Sequence, residues 1–595
     1  MSDYIGYASF PTLDQVLSPT KPVKDIAWIA QNLTRTGTSW SSSLGHAVTV
    51  TWSASATDQG QASFPGNAFM QLDADQIHAA EMATRAWSDV ANIDFVRLGS
   101  GYSGAAAYSD AGQVRIQGYS SSPTGASGMS DMPGHGSVTT EVYAGGDLQD
   151  GYNWVPDGLN APNGYANLLH ELGHAIGLSH PDDYTTPFPQ YDTAATYYQD
   201  SKLFSIMSYM DGRVGVLTPW QLPETPGIDD IAAAQRLYGA NMTTRTGDTT
   251  YGFNSNADEP YFRITDPNGF VRFTVWDAGG NDTFDFSGWG YNHVIDLREG
   301  HLSSVSHLSP ANAVEGYNVG IAYGTVIENA IGGSGGEMFY GNDANNRIVG
   351  NGGADFINGG AGADTLDGGD DNDHIYGNGL GVAGSADGGD GILGGAGHDY
   401  VNGNAGNDTI YGGDGNDRIQ GGQDDDLIGG DAGYDQINGN LGNDTVHGNA
   451  GNDLLQGGKG DDQVFGDAGG DTIMGNLGID VLTGGAGADV FKFAFGDAVI
   501  VAGQADRITD FQPDDRIALD FGVPTQVLHG TAPSLASAVT AEHDALLATG
   551  DAHAVDAVQI GGDAYLFFDA RTDGHVEVVD LAGVAASTVD VRDFV

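Results

Sequence analysis

Residues 403–420 read "GNAGNDTIYGGDGNDRIQ". They are two nine-residue units of one pattern, G-G-x-G-x-D-x-U-x, where U is a large apolar residue. Eleven such units run without a gap from Gly394 to Lys492. Their sixth residue is always aspartate: Asp399, Asp408, Asp417, Asp426, Asp435, Asp444, Asp453, Asp462, Asp471, Asp480 and Asp489. Their eighth is always apolar, as in Val401, Ile410, Leu482 and Phe491. A looser run of five units spans Gly332 to Tyr376, with Asp355, Asp364 and Asp373 in phase but Glu337 and Asn346 in the first two units. An insertion over 377–393 separates the runs.

A nine-residue period held in phase this long predicts a parallel β-roll. Each unit supplies a turn, where glycine permits φ > 0, and a short strand whose apolar residue enters a thin core. One unit buries too little to fold alone, so the stack closes the core. The aspartates and turn carbonyls are hard oxygen ligands suited to Ca²⁺. Between 331 and 492 there are 27 acidic and 4 basic residues. Bare, such a block repels itself. The expectation is folding coupled to calcium binding. Extracellular sites of this kind work at roughly 10⁻⁴–10⁻³ M, so the block should stay open in a calcium-poor cytosol.

The full chain of 595 residues carries 79 acidic against 21 basic residues, a formal charge of -58. That balance argues against nucleic-acid binding, which needs a basic surface. The chain has no cysteine, which excludes disulfides, thiolate metal sites and a cysteine nucleophile and leaves calcium as the staple. The opening "MSDYIGYASF" has no basic stretch followed by an apolar run, so no secretory signal peptide is read there. No apolar run of about 18 residues predicts a membrane span.

Residues 1–245 read as a globular α/β mixture. Helical spacing marks 73–91 and 167–178, and 226–240 reads as a helix with Pro226 and acids at its start and Gly239 at its end. "IDFVRL" (93–98) and "QVRIQGY" (113–119) read as strands. The tail, 493–595, has strand-like patches such as "DAYLFFD" (563–569).

Within this first part, "LLHELGHAIGLSHP" (168–181) places three histidines in eleven positions. Spacing of four puts His170 and His174 on one helix face, so both imidazoles can reach one ion. Gly177 can take the left-handed conformation that ends the helix and returns His180 to the same ion. Three neutral nitrogens with one open position suit a catalytic zinc rather than a closed structural one. Glu171, on the same helix but not directed as a ligand, can act as general base toward a metal-activated water. The eleven-residue form followed by a methionine turn is the metzincin signature. "FSIMSYM" (204–210) supplies that turn, with Met207 as an apolar floor and Tyr209 projecting its phenol toward the metal.

These residues together resemble the serralysins, secreted metzincin endopeptidases of Gram-negative bacteria. Pro181 after the third histidine, "SIMSYM", "WSDVANIDF" (87–95), "IDDIAAAQRLYGANMTTRTGDTTYGFNSN" (228–256), "WDAGGNDTFDFSG" (276–288), "VIENAIGGSG" (326–335) and "RITDFQPDDRIAL" (507–519) are all similar to serralysin phrases. The resemblance covers about residues 75 to 520. It implies one catalytic Zn²⁺ held by His170, His174 and His180, with Glu171 as general base. It implies that Tyr209 is a resting zinc ligand that swings away and stabilises the oxyanion in turnover. It implies several structural Ca²⁺ on the repeat aspartates and protein or peptide substrates. It further implies secretion through a type I exporter that reads an uncleaved C-terminal signal, which the ending "DFV" fits.

The expected architecture is multidomain: an α/β metzincin catalytic domain, a calcium-bound parallel β-roll and a mostly β C-terminal region. Its segments are a propeptide over 1–20, the protease over 21–245, a β-rich connection over 246–331, the roll over 332–492 and the secretion-signal region over 493–595. A monomer is expected, outside the cell or associated with its surface. The roll and tail are longer than in a typical serralysin. "GMSDMPGHG" (128–136) stands where the family has a more aromatic substrate-binding edge strand. These departures leave room for a specialised substrate such as a cell-surface layer, and the sequence leaves a proteinaceous inhibitor open. The competing reading is a calcium-dependent cell-surface binding protein with a relic protease domain. A toxin or lipase with the same repeats lacks support, because no G-x-S-x-G elbow stands beside a serine triad.

Overall fold

The computed structural model describes residues 21–57, 69–119, 128–130, 132–133, 140–145, 163–184, 191–210, 222–267, 269, 271–305, 317–378, 387–494, 496–497, 505–549, 551, 553–568 and 576–595. The expected propeptide and part of the 377–393 insertion lie outside these residues. The chain divides into two compact units, Met1–Ile331 and Gly332–Val595.

In the first unit, strands β1 (Val48–Ala54), β2 (Phe69–Met70), β3 (Ile93–Arg97), β4 (Val114–Tyr119), β5 (Gly128–Ser130) and β6 (Thr140–Gly145) form one sheet. Its order is β3-β1-β4-β6-β5, with β2 added antiparallel to β4. β3, β1, β4 and β6 are parallel, and β5 runs antiparallel to β6 at the edge. Helix α1 is Ile26–Leu33, α2 Ala74–Val90, α3 Asn163–Ala175 and α4 Ile228–Tyr238. α2 starts where Asp73 and Gln76 close a capping box, which satisfies two amide groups that the first turn leaves open. Its face Ile77, Ala80, Ala83 and Trp87 is buried, and Trp87 Nε1 donates to the Leu169 carbonyl of α3 at 3.1 Å. α3 lies against β5 and β6. Residues 250–331 continue in short strands, among them Thr250–Gly252, Thr283–Asp285 and Asn329–Ile331 in parallel register.

The second unit is a β-roll. Strands of one face, such as Tyr400–Ala405, Arg418–Gln423 and Gln436–Leu441, alternate along the chain with strands of the other, such as Thr409–Gly415 and Leu427–Gly433. Each strand pairs in parallel with the strand 18 residues on, as Arg418 with Gln436 and Thr409 with Leu427. The eighth residues Ile348, Ile357, Leu366, Ile375 and Val401 through Phe491 are at most 2% exposed, so the thin core is continuous. At two places, once on each face, the step is 26 residues: Thr365 to Gly391 and His374 to Tyr400, then Val481 to Arg507 and Val490 to Arg516. The roll therefore continues past Lys492 to Asp506–Ile508 and Arg516–Leu519. The chain then forms strands Gln526–Thr531, Ala554–Ile560, Asp563–Phe568 and Glu577–Leu581, with helix α5 (Leu535–Thr549) packing Ala538 and Leu546 against Val558 and Phe567. Among the described residues no helix is long and apolar enough to cross a membrane.

Candidate metal centre

α3 ends in a turn that the sequence dictates. The Leu178 N–H donates to the Gly173 carbonyl at 2.9 Å and the Gly177 N–H to the His174 carbonyl at 2.9 Å, the two bonds of a Schellman motif. Gly177 has φ +108°, and a Cβ there would lie 2.3 Å from the Thr38 carbonyl oxygen, so only glycine fits. The returning segment is fastened to α1 and the residues after it. The Ser179 N–H donates to the Leu33 carbonyl at 2.7 Å, Asn32 Nδ2 to the Pro181 carbonyl at 2.6 Å, and Arg35 Nη1 to the His180 carbonyl at 2.6 Å.

This turn brings the three imidazoles together. His180 Nε2 lies 3.0 Å from His174 Nε2 and 3.3 Å from His170 Nε2. His170 and His174 are buried. His170 Nδ1 lies 2.7 Å from the Ile206 carbonyl and His174 Nδ1 2.8 Å from the Leu178 carbonyl. Each Nδ1 therefore carries the proton, and each Nε2 presents its lone pair inward. Burial holds the His170 and His174 pKa values below the usual imidazole range, and burial together with His174 lowers that of His180 to about 3. Three neutral lone pairs that close repel one another. A tetrahedral ion with Zn–N of about 2.0–2.1 Å spaces its ligand nitrogens by roughly 3.3 Å, which these residues fit.

Glu171 sits on the same helix, 7% exposed, with no side-chain hydrogen bond among the described residues. Burial pushes its carboxyl up to about 8. Met207 lies beneath α3: a Cβ at Gly173 would meet its Sδ at 2.5 Å. The Met207 turn is held by Asp230 of α4, which accepts Ser205 Oγ at 2.6 Å, the Ile206 N–H at 2.6 Å and the Gly227 N–H at 2.8 Å. The Tyr209 ring lies 4.4 Å from that of His180 and 5.6 Å from that of His170, centroid to centroid. Burial and the nearby Glu171 raise its phenol pKa.

A second set of candidate ligands lines the roll. The fourteen aspartates from Asp355 to Asp489 named from the sequence are at most 3% exposed. Each accepts through Oδ1 a backbone N–H from a turn below, as Asp426 does from Asp408 at 2.9 Å and Asp453 from Asp435 at 2.9 Å. Each Oδ2 is buried without a partner. First-position glycines leave the room: a Cβ at Gly403 would meet Asp408 Oδ2 at 2.1 Å and the Gly421 carbonyl oxygen at 2.6 Å. Burial raises these carboxyls, Asp355 to about 9, Asp408 to about 8 and Asp462 to about 7. Unpaired carboxylate oxygens in glycine-lined turns are the donor set of a hard dication.

Three members of this ladder are absent from the sequence reading. Asp390 accepts the Asp364 N–H at 2.8 Å and gives its own N–H to Asp408. Asp506 accepts from Asp480 at 3.0 Å and Asp515 from Asp489 at 3.1 Å. Asp390 falls inside the 377–393 insertion, so part of that insertion is a roll unit. The short string D-x-apolar, repeated as "DGI" (390–392), "DRI" (506–508) and "DRI" (515–517), is the signal that finds them.

The comparisons with known proteins define the class at this point. Residues 240–527 match the family model described as Peptidase M10 serralysin C terminal. The chain is 38% identical to Serralysin C of Dickeya chrysanthemi over 331 residues, covering 53% of this chain and 64% of that protein. It is 37% identical to Metallopeptidase AprA of Pseudomonas marginalis over 343 residues, covering 54% and 66%. With Serralysin of Proteus mirabilis it shares 39% over 278 residues, covering 45% and 54%. Over these residues the chain is similar to the serralysin family. It spans between 54% and 66% of the lengths of these three relatives.

Proposed function

We propose that this chain is a secreted zinc-dependent endopeptidase whose calcium-bound roll folds after export. The observation that carries the reading is the convergence of three neutral imidazole nitrogens at 3.0 and 3.3 Å beside the buried carboxyl of Glu171. His170, His174 and His180 would hold the zinc. Bound there, zinc polarises a carbonyl and acidifies water to near-neutral pKa. Glu171 takes the proton of the attacking water and passes it to the leaving amine. Its raised pKa suits both tasks, because a general base works best near the operating pH. Tyr209 offers its phenol to the oxyanion that develops on the substrate carbonyl. The antiparallel edge strand β5 lies beside α3 and has the backbone to take an extended peptide as a further strand.

The ladder aspartates would hold calcium. Fourteen buried unpaired oxygens at roughly 1–3 kcal/mol each match or exceed the whole stability of a domain, about 5–15 kcal/mol. The roll then folds where calcium is abundant, and the open chain suits a type I exporter. Protein substrates and an extracellular site of action follow from this reading.

The test is casein hydrolysis in millimolar Ca²⁺ by wild type beside Glu171→Ala, with zinc measured on both. Activity only in the wild type, with equal zinc, supports the endopeptidase. Wild type that holds zinc yet cleaves neither casein nor surface-layer protein favours the relic reading, a calcium-dependent surface-binding protein.

A further inference from the structure

Tyr184 lies four residues past His180, and neither the histidine motif nor the methionine turn gives it a role. Its ring stacks on that of Tyr209 at 5.2 Å and 30°, and lies 5.7 Å from that of His180. Its hydroxyl donates to Asp200 Oδ1 at 2.5 Å and lies 3.3 Å from Ser208 Oγ. Ser208 Oγ donates to the same Asp200 oxygen at 2.9 Å and accepts the Met210 N–H at 3.1 Å. Asp200 is fully buried. One fixed carboxylate thus ties the Tyr184 phenol to the turn that carries Tyr209. Tyr209 is 39% exposed, and its hydroxyl makes no hydrogen bond among the described residues. Stacking against Tyr184 and His180 is therefore what holds its ring.

We infer that Tyr184 is the positioning residue of Tyr209: anchored by Asp200 and Ser208, its ring sets where the Tyr209 phenol stands over the three histidines. The inference rests on the reading of Tyr209 as a group that meets the metal. A side chain in mere packing contact needs no buried acceptor aimed at its hydroxyl. A Tyr184 that fixes the rest position of Tyr209 does, since a free ring would slide with its partner. Errors of about 1 Å in a reacting group can cost on the order of a hundredfold in rate, so the anchor has a measurable consequence.

The experiment loads the full chain, in millimolar Ca²⁺, with Cu²⁺ in place of zinc. A phenolate bound to Cu²⁺ absorbs visible light by charge transfer, which reports the Tyr209 position without turnover. Wild type, Tyr209→Phe, Tyr184→Phe and Tyr184→Leu are compared, with copper content measured on each. The expected result is equal copper throughout. The band is present in wild type, absent in Tyr209→Phe, reduced several-fold in Tyr184→Leu and weakened or shifted in Tyr184→Phe. With zinc, both Tyr184 variants should lose kcat on the order of tenfold with KM little changed. Tyr184→Phe keeps the ring and carries the test if Tyr184→Leu does not fold. Wild-type band and kcat in Tyr184→Phe overturn the inference. So does a wild type that cleaves casein with zinc but shows no band with copper, which leaves the endopeptidase reading standing. A wild type that binds neither metal removes both.

Discussion

Asp230 and Ile206 are joined through the backbone: Asp230 Oδ2 accepts the Ile206 N–H at 2.6 Å. The Ile206 carbonyl in turn receives His170 Nδ1 at 2.7 Å. A buried carboxylate on α4 thereby orients an imidazole of the histidine triad through one residue. Removing such support behind a ligand typically costs about 10–100-fold in metal affinity. Asp230→Asn should weaken zinc binding by about tenfold or more, measured by competition with a chelator, while His180 geometry is untouched. Unchanged affinity would mean that the methionine turn holds its shape alone.

Gly177→Ala should be far more damaging than its size suggests. The residue has φ +108°, and the added methyl would press on the Thr38 carbonyl at 2.3 Å. Left-handed strain alone costs about 1–3 kcal/mol. Relief of the clash must move the segment that returns His180. The variant should melt earlier and bind zinc weakly, both seen in one calorimetric comparison with and without zinc.

The roll should respond to acid in a direction opposite to ordinary acid denaturation. Burial raises Asp355 to about 9, Asp373 to about 8 and Asp462 to about 7 from the carboxyl value of 3.8. A raised folded-state pKa gives stability that is full below the unfolded value and is lost as pH rises through the folded one. The calcium-free roll should therefore keep more β structure near pH 4 than near pH 8, by circular dichroism in chelator. Calcium binding at pH 7 should release protons, detectable with a pH indicator. A calcium-free signal that does not vary over this range would contradict the raised carboxyls.

Paired glycine substitutions separate the aspartate-lined turns from ordinary loops. At Gly403 a Cβ would meet Asp408 Oδ2 at 2.1 Å. At Gly562 it would meet nothing within 4 Å. Gly403→Ala should cost about 1–3 kcal/mol by overpacking and raise the calcium midpoint of folding. Gly562→Ala should leave that midpoint where it is. Equal midpoints for the two would mean that the orphaned oxygens do not face the ion.

Much of this was readable in advance because the chemistry is local. "HELGHAIGLSH" writes the site in one helix and one turn, and its helix spans 163–175 where the pattern marked 167–178. The aspartates of the unbroken run were found because each repeats the position of the last. Asp390, Asp506 and Asp515 were hidden because eight extra residues break the phase at each place, though the ladder of hydrogen bonds carries on across them. Asp230, Asp200 and Tyr184 were hidden for another reason. Asp230 meets Ile206 24 residues away, and Asp200 meets Tyr184 16 and Ser208 8 residues away, and no period connects them.

The four 26-residue steps, Asp364 to Asp390, Asp373 to Asp399, Asp480 to Asp506 and Asp489 to Asp515, show that the rungs are indexed by aspartate and not by chain length. Eight added residues at each place leave the ladder of hydrogen bonds unbroken. Each step is a seam where a foreign loop could be spliced in and carried outward while the column of carboxylates closes beneath it. A protein built this way can gain cargo at its seams without redesign of its spine.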